Sequence, residues 1–139
     1  MQITEVTLAD INLFLAVPPG LFDNDICPDQ SRAFLADPAN ILLLAHDGAL
    51  AVGMATATIL RHPDKAPTLF INEVGTLDSH LRQGIATALM QHMITLARTR
   101  GCQGIWLGTE PDNTAALALY RKLGGQEETF VGFGWDDAL

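Results

Sequence analysis

Leu81-Arg82-Gln83-Gly84-Ile85-Ala86-Thr87-Ala88-Leu89-Met90 is the stretch that decides how this chain is read. A glycine followed by small residues opens a long helical pattern. Ile85, Leu89, Met93, Leu96 and Arg100 recur at spacings of four, four, three and four, and Gly101 follows as a stop. The spacing predicts a helix over 83–100. A glycine turn at its start can aim several backbone N–H groups outward, where the helix dipole also favours an anion such as a pyrophosphate. Neither G-x-G-x-x-G nor G-K-[ST] is present, so this is not a dinucleotide fingerprint or a P-loop. Taken alone, Gly84-x-Ala86 also suits an ordinary tight turn from strand to helix.

Outward from this turn the chain alternates between strand and helix signals. Residues 2–7 alternate as a short strand, and 8–17 carry Leu8, Ile11 and Leu15 on one helical face until Pro18-Pro19-Gly20 ends it. A second short helix is predicted over 29–35. Residues 41–46 form an apolar strand, and Asp47-Gly48 predicts a two-residue hairpin into a strand over 49–60. Further strands are predicted over 68–77 and 103–109, the latter buried. A helix over 114–123 starts after Asp112-Asn113 and stops at Gly124-Gly125. Alternation over 128–135 predicts a last strand. The order βααβββαβαβ gives an α/β (α+β) fold with a mixed sheet of about six strands and four helices. No repeat, low-complexity tract or linker interrupts it, so residues 1–139 read as a single domain.

Composition narrows the classes. Hydrophobic residues make up 48% and charged residues 17%, which suits a packed globule rather than a disordered chain. No apolar run reaches the roughly 18 residues that span a bilayer, and the N-terminus lacks the basic and apolar regions of a secretory signal. A cytoplasmic protein is expected. Cys27 and Cys102 have no companion thiol nearby, and the four histidines show no ligand spacing, so no disulfide or metal is expected. The net charge of −8 argues against nucleic acid and anionic membranes as partners. A cationic small molecule complements it, although acidity also serves solubility alone.

The 81–90 segment resembles the pyrophosphate loop of the GNAT N-acetyltransferases, R/Q-x-x-G-x-G/A followed by an aliphatic helix. A second segment resembles another motif of that superfamily: Asn113 is followed seven residues later by Tyr120 within Ala116-Leu117-Ala118-Leu119-Tyr120-Arg121-Lys122-Leu123-Gly124-Gly125. The two motifs cover about 60 residues in the family's order. The resemblance implies a mostly antiparallel sheet splayed between its fourth and fifth strands, acetyl-CoA as cosubstrate, and a homodimer. Leu81 departs from the family's Arg or Gln at the first loop position, leaving Arg82 and the backbone amides to meet the phosphates. Leu69-Phe70-Ile71-Asn72-Glu73, the loop, and the late segment through Glu127-Glu128 are similar to the aminoglycoside 3-N-acetyltransferases, whose substrates are polycations.

The resemblance also assigns roles. Attack of an amine on the thioester requires a proton acceptor, and Glu73, in the strand before the loop, is the candidate base with Glu110 in reserve. Tyr120, the only tyrosine, matches the general acid for the departing thiolate. Val74, Gly75 and Thr76 are expected to pair with the pantetheine arm as a pseudo-strand, Gly75 permitting the close approach or a bulge. Arg82, Gln83, Gly84, Ile85, Ala86 and Thr87 would hold the pyrophosphate, and Asn113 would contact the pantetheine or cap its helix. Trp106, Trp135, Met54, Met90 and Met93 read as packing residues, whereas Asp23, Asp25, Asp29, Asp136 and Asp137 line an acceptor pocket or a solvated surface. Three functions follow: an acetyl-CoA-dependent N-acetyltransferase of a small aminoglycoside-like or polyamine-like amine, a peptide or protein N-acetyltransferase, and a non-catalytic acetyl-CoA-binding module.

Overall fold

The computed structural model describes residues 1–137 and divides into two compact units, the first running from Met1 to Gly108 and the second from Thr109 onward. The first holds a five-stranded sheet whose spatial order is the chain order: β1 (Gln2–Glu5), β2 (Asn40–Asp47), β3 (Leu50–Leu60), β4 (Thr68–Thr76) and β5 (Gly104–Trp106). Neighbours from β1 to β4 are antiparallel, and β5 joins β4 in parallel after the crossover helix α3 (Ile85–Thr99). The two-residue turn between β2 and β3 is Gly48-Ala49, with Asp47 paired to Leu50. It lies one residue later than the sequence suggests, because Gly48 supplies the positive φ of 59° at the first turn position.

Each face of this sheet has its own cover. On one side Val6, Leu42, Leu44 and Met54 pack with Phe14 of α1 (Ile11–Leu15), Leu21, and the half-buried Phe34 and Leu35 of α2 (Pro28–Ala36). Pro28 occupies the first turn of α2, where its missing N–H costs nothing. On the other side α3 buries Ile85, Leu89, Met90, Met93 and Ala97. The approach is closest at Gly53, where an added Cβ would lie 2.5 Å from Ile85 Cγ2 and 3.1 Å from Leu89 Cδ1. Gly101 ends α3 with φ of 74°, its N–H donating to Arg98 O and that of Cys102 to Ala97 O. These two bonds are a Schellman closure. Arg100, at the same end, pairs with Glu5 of β1.

Two expectations are corrected. Residues 128–135 form no strand, so the sheet has five strands among the described residues. Their apolar alternation is real, but Gly132 and Gly134 supply no side chains to a pleat, and Phe133 and Trp135 are exposed. The strand predicted over 103–109 is also only three residues long, and it is not buried: Trp106 is 43% exposed. Its ring stacks on Phe70 with centroids 5.1 Å apart, which explains an aromatic on this strand without full burial. The ladder between β4 and β5 covers Thr68–Phe70 against Gly104–Trp106 and stops there.

In the second unit, α4 (Thr114–Lys122) is capped by Asn113, whose side-chain oxygen accepts from the Ala116 N–H at 3.2 Å. The Gly124 N–H donates to Arg121 O and the Gly125 N–H to Tyr120 O, the same closure that ends α3.

Candidate active site

The turn before α3 contains two left-handed residues, Arg82 at φ of 61° and Gly84 at 79°. For Gly84 this conformation is easy, whereas for Arg82 it is uncommon. Left-handed residues at a helix start gather N–H groups into a concave anion site. Gly84 is the N-cap of α3, so the N–H groups of Ile85, Ala86 and Thr87 belong to the first turn, which has no intrahelical acceptors. An added Cβ at Gly84 would meet no protein atom within 4 Å. Glycine is therefore required for φ, and the space before the turn is open. Gln83, Arg82 and Leu81 are exposed there.

A contact the sequence reading missed steadies the approach to this turn. His80 Nε2 lies 3.1 Å from Asp47 Oδ2 on the β2–β3 hairpin, and its Nδ1 lies 2.8 Å from Ser79 Oγ. Only the fold brings residue 47 to residue 80. Gly53 ties in the other side: it pairs with Thr76 across the β3–β4 ladder and lies under Ile85. The end of β4 and the opening of α3 thus meet over one backbone position.

Glu73 owes its place to a bulge. Thr56 pairs with Glu73 and Ala57 with Ile71, which leaves Asn72 as the extra residue of β4. Asn72 is held there by a chain of side chains crossing three strands. Its Nδ2 donates to Thr58 Oγ1, the Thr58 hydroxyl donates to Asn40 Oδ1, and Asn40 Nδ2 donates to the Phe34 carbonyl of α2, each at 3.1 Å. The bulge was expected at Gly75 and lies at Asn72 instead. Gly75 has a different role: an added Cβ would lie 3.1 Å from both the Leu21 carbonyl oxygen and Met54 Cε. The loop between α1 and α2 therefore rests against β4 at this glycine.

That loop carries Asp23, Asn24 and Asp25 along a cavity of about 350 Å³, with Leu15, Phe22 and Ile26 in its wall. Partial burial raises the pKa of the Glu73 carboxyl above its ordinary 4.5, and the negative charge of Asp23 raises it further. Such a carboxylate is a stronger proton acceptor than a free surface glutamate. Val74, Gly75 and Thr76 pair with Ala55, Met54 and Gly53 of β3 on one edge, and the β5 ladder does not extend to them on the other.

The remaining candidates lie in the second unit. Tyr120, on α4, is half-buried, and burial pushes its hydroxyl above the ordinary value of 10.0, so it stays protonated through neutral pH. Asn113 spends its side-chain oxygen on the helix cap. Glu110 is exposed and lies four residues beyond the end of β5 rather than on a strand end. Among the described residues no cluster of His, Cys, Asp or Glu can hold a metal ion, and no helix is long and apolar enough to cross a membrane.

Comparison with known proteins identifies the family. Relatives include the [ribosomal protein bS18]-alanine N-acetyltransferase of Escherichia coli (strain K12), 36% identical over 86 residues, which are 62% of this chain and 54% of that protein. The chain thus spans about half the length of these curated relatives. It is also similar to the aminoglycoside N(6')-acetyltransferase type 1 of Salmonella typhimurium (strain LT2), 28% identical over 120 residues, 83% of this chain and 81% of the relative. Among solved structures, an aminoglycoside acetyltransferase from an uncultured soil metagenomic sample superposes with a TM-score of 0.82 at 26% identity, covering 95% of each chain. Where the names of the aminoglycoside relatives give a position it is 6'-N and not 3-N, which corrects the finer resemblance. That resemblance rested on the cofactor half, whose motifs are shared across the superfamily. Residues 11–125 match the model of the acetyltransferase (GNAT) family, and the chain belongs to that family.

Proposed function

We propose that this chain is an acetyl-CoA-dependent N-acetyltransferase whose acceptor is a small cationic amine. The observation that carries this reading is Glu73, held at the Asn72 bulge beside the acidic α1–α2 loop and its cavity. A protonated amine is drawn to Asp23 and gives up its proton to Glu73. The turn at Arg82, Gln83, Gly84, Ile85, Ala86 and Thr87 receives the pyrophosphate, and Val74, Gly75 and Thr76 offer a strand edge to the pantetheine arm. Tyr120 donates the proton that the departing thiolate needs, and Asn113 keeps α4 capped. Aminoglycoside-like amines suit the acidity best. Acetylation of a peptide N-terminus is the second reading, favoured by the 36% identity to the alanine N-acetyltransferases.

Thiolate release from acetyl-CoA, followed with a thiol reagent, tests this over an aminoglycoside, a polyamine and an alanyl peptide. The expected result is turnover with the cationic small amines, lowered about 10²–10⁴-fold in Tyr120→Phe. Acetyl-CoA should also raise the melting temperature as ln(1 + [L]/Kd). Arg82→Gly keeps the left-handed backbone while removing the charge, so a reduced shift in that variant isolates the electrostatic part. Stabilisation without release for any amine would mean a binding module. Preference for the alanyl peptide would establish the second reading.

A further inference from the structure

The turn before α3 is suspended between two fixed points. After it, Ile85 is 4% exposed against Gly53, and the Ala88 N–H donates to the Gly84 carbonyl at 3.0 Å. Before it, the Leu77 N–H donates to Val52 O of β3 and the His80 N–H to Leu77 O, both at 2.9 Å. Residues 81–84 between these points are exposed, yet Arg82 keeps a left-handed backbone that a side chain makes costly. Such a conformation persists where its neighbours over-determine it. The His80 side chain does so from across the fold. It is 18% exposed, with Nε2 3.1 Å from Asp47 Oδ2 and Nδ1 2.8 Å from Ser79 Oγ. A carboxylate only accepts, so Nε2 carries the proton and donates to Asp47, while in the neutral ring Nδ1 accepts from the Ser79 hydroxyl. Both ring nitrogens are engaged, and the imidazole cannot turn over without losing both bonds.

We propose that Asp47 and His80 are positioning residues for the cofactor: their contact latches the β2–β3 hairpin to the turn and so sets the affinity for the pyrophosphate of acetyl-CoA. The inference rests on the proposed function for the ligand of this turn. The N–H groups of Ile85, Ala86 and Thr87 meet an anion without further ordering only if the turn leading to them is already in place. Every residue ordered on binding subtracts from affinity. Attraction between the two side chains is not what the contact contributes. Asp47 is 68% exposed, and an ion pair so open to water is worth little. The contact instead removes freedom from the chain just ahead of Arg82, and a neutral ring serves as well as a charged one. The strand edge at Val74, Gly75 and Thr76 is held separately, by its pairing with β3. Loss of the latch therefore weakens the hold on the pyrophosphate and leaves the pantetheine arm unaffected.

Asp47→Ala removes the acceptor from an exposed position, whereas Asp47→Asn keeps an oxygen that accepts from His80. The first readout is the backbone order of Arg82 and Gly84 by NMR relaxation in the free protein, which requires no ligand. Both amides should lose order in Asp47→Ala and keep it in Asp47→Asn. The second is the dissociation constant for acetyl-CoA, set against that for S-acetylpantetheine, which ends before the pyrophosphate. Asp47→Ala should weaken acetyl-CoA about three- to tenfold, as for the loss of one hydrogen bond, with S-acetylpantetheine unchanged and Asp47→Asn near the wild type. His80→Phe should match Asp47→Ala, and the double variant should be no worse than either, because all three cut one contact. Equal weakening of both ligands in Asp47→Ala overturns the proposal, since the whole cofactor face would then have loosened. Unchanged order at Arg82, or additive losses in the double variant, also overturns it. A wild type that binds S-acetylpantetheine as tightly as acetyl-CoA would remove the pyrophosphate reading of the turn and the proposal with it. Discrimination between the two ligands that is the same in the wild type and Asp47→Ala would remove the latch alone.

Discussion

Replacing Glu73 by Gln should lower turnover at neutral pH by about 10²–10⁴-fold, the usual range for losing a general base. The deficit should depend on pH. In the wild type, activity should rise as Glu73 ionises, and that limb should lie above the ordinary 4.5 because burial and Asp23 both hold the proton on. In Glu73→Gln the limb should move up to the range where the amine loses its own proton, so the two proteins converge at high pH. Stability supplies the control. A carboxyl whose pKa is raised by folding binds more protons in the native than in the unfolded chain. Its contribution is therefore favourable at low pH and is lost as pH rises from the unfolded value through the folded one. At neutral pH Glu73→Gln should melt no lower than the wild type. A loss of activity that is flat across pH, or that comes with a lowered melting temperature, would take the base role away from Glu73.

The largest effect on stability is expected at Gly53. Its backbone is not in the left-handed region, so the requirement for glycine is steric. A Cβ placed 2.5 Å from Ile85 Cγ2 must push α3 away from the sheet. Gly53→Val should cost about 3 kcal/mol, the upper part of the range for overpacking. For a domain stabilised by about 5–15 kcal/mol this is a large fraction. Because Ile85 is the first residue of α3, the same displacement should weaken acetyl-CoA binding along with stability. Ile85→Ala should restore much of what Gly53→Ala loses, since the clash is with that side chain. Urea unfolding of the two single variants and the double variant measures this. If Gly53→Ala is as stable as the wild type, α3 does not sit on the sheet as described.

Local chemistry made much of this fold readable. Gly84 and Gly101 bracket α3 because helix ends need residues that tolerate positive φ, and both signals sit in the sequence itself. Asn113 as a cap and Gly124-Gly125 as a stop frame α4 in the same way. The apolar runs of β2 and β3 read correctly because both faces of that sheet are covered. What stayed hidden depends on register. Nothing around Asn72 announces a bulge; it follows from how β3 and β4 align and from Asn40, which is 32 residues away. The influence of Asp23 on Glu73 arises only when the α1–α2 loop folds over Gly75. The alternation over 128–135 failed for the opposite reason: a local pattern makes a strand only where an edge accepts it.

The strand order has a bearing on how this protein assembles in time. Because β2, β3 and β4 follow one another in the chain and in the sheet, their pairing closes only short loops, whereas β5 must wait for the whole α3 crossover. Amide protons in β3, flanked by partners along its length, should exchange with solvent only through global unfolding. Those of β5, anchored by three residue pairs, should exchange through smaller openings and much faster. Hydrogen exchange followed residue by residue would show this gradient, and equal protection in β3 and β5 would rule it out. The strand bearing Glu73 would then be in place before the far edge of the sheet is sealed.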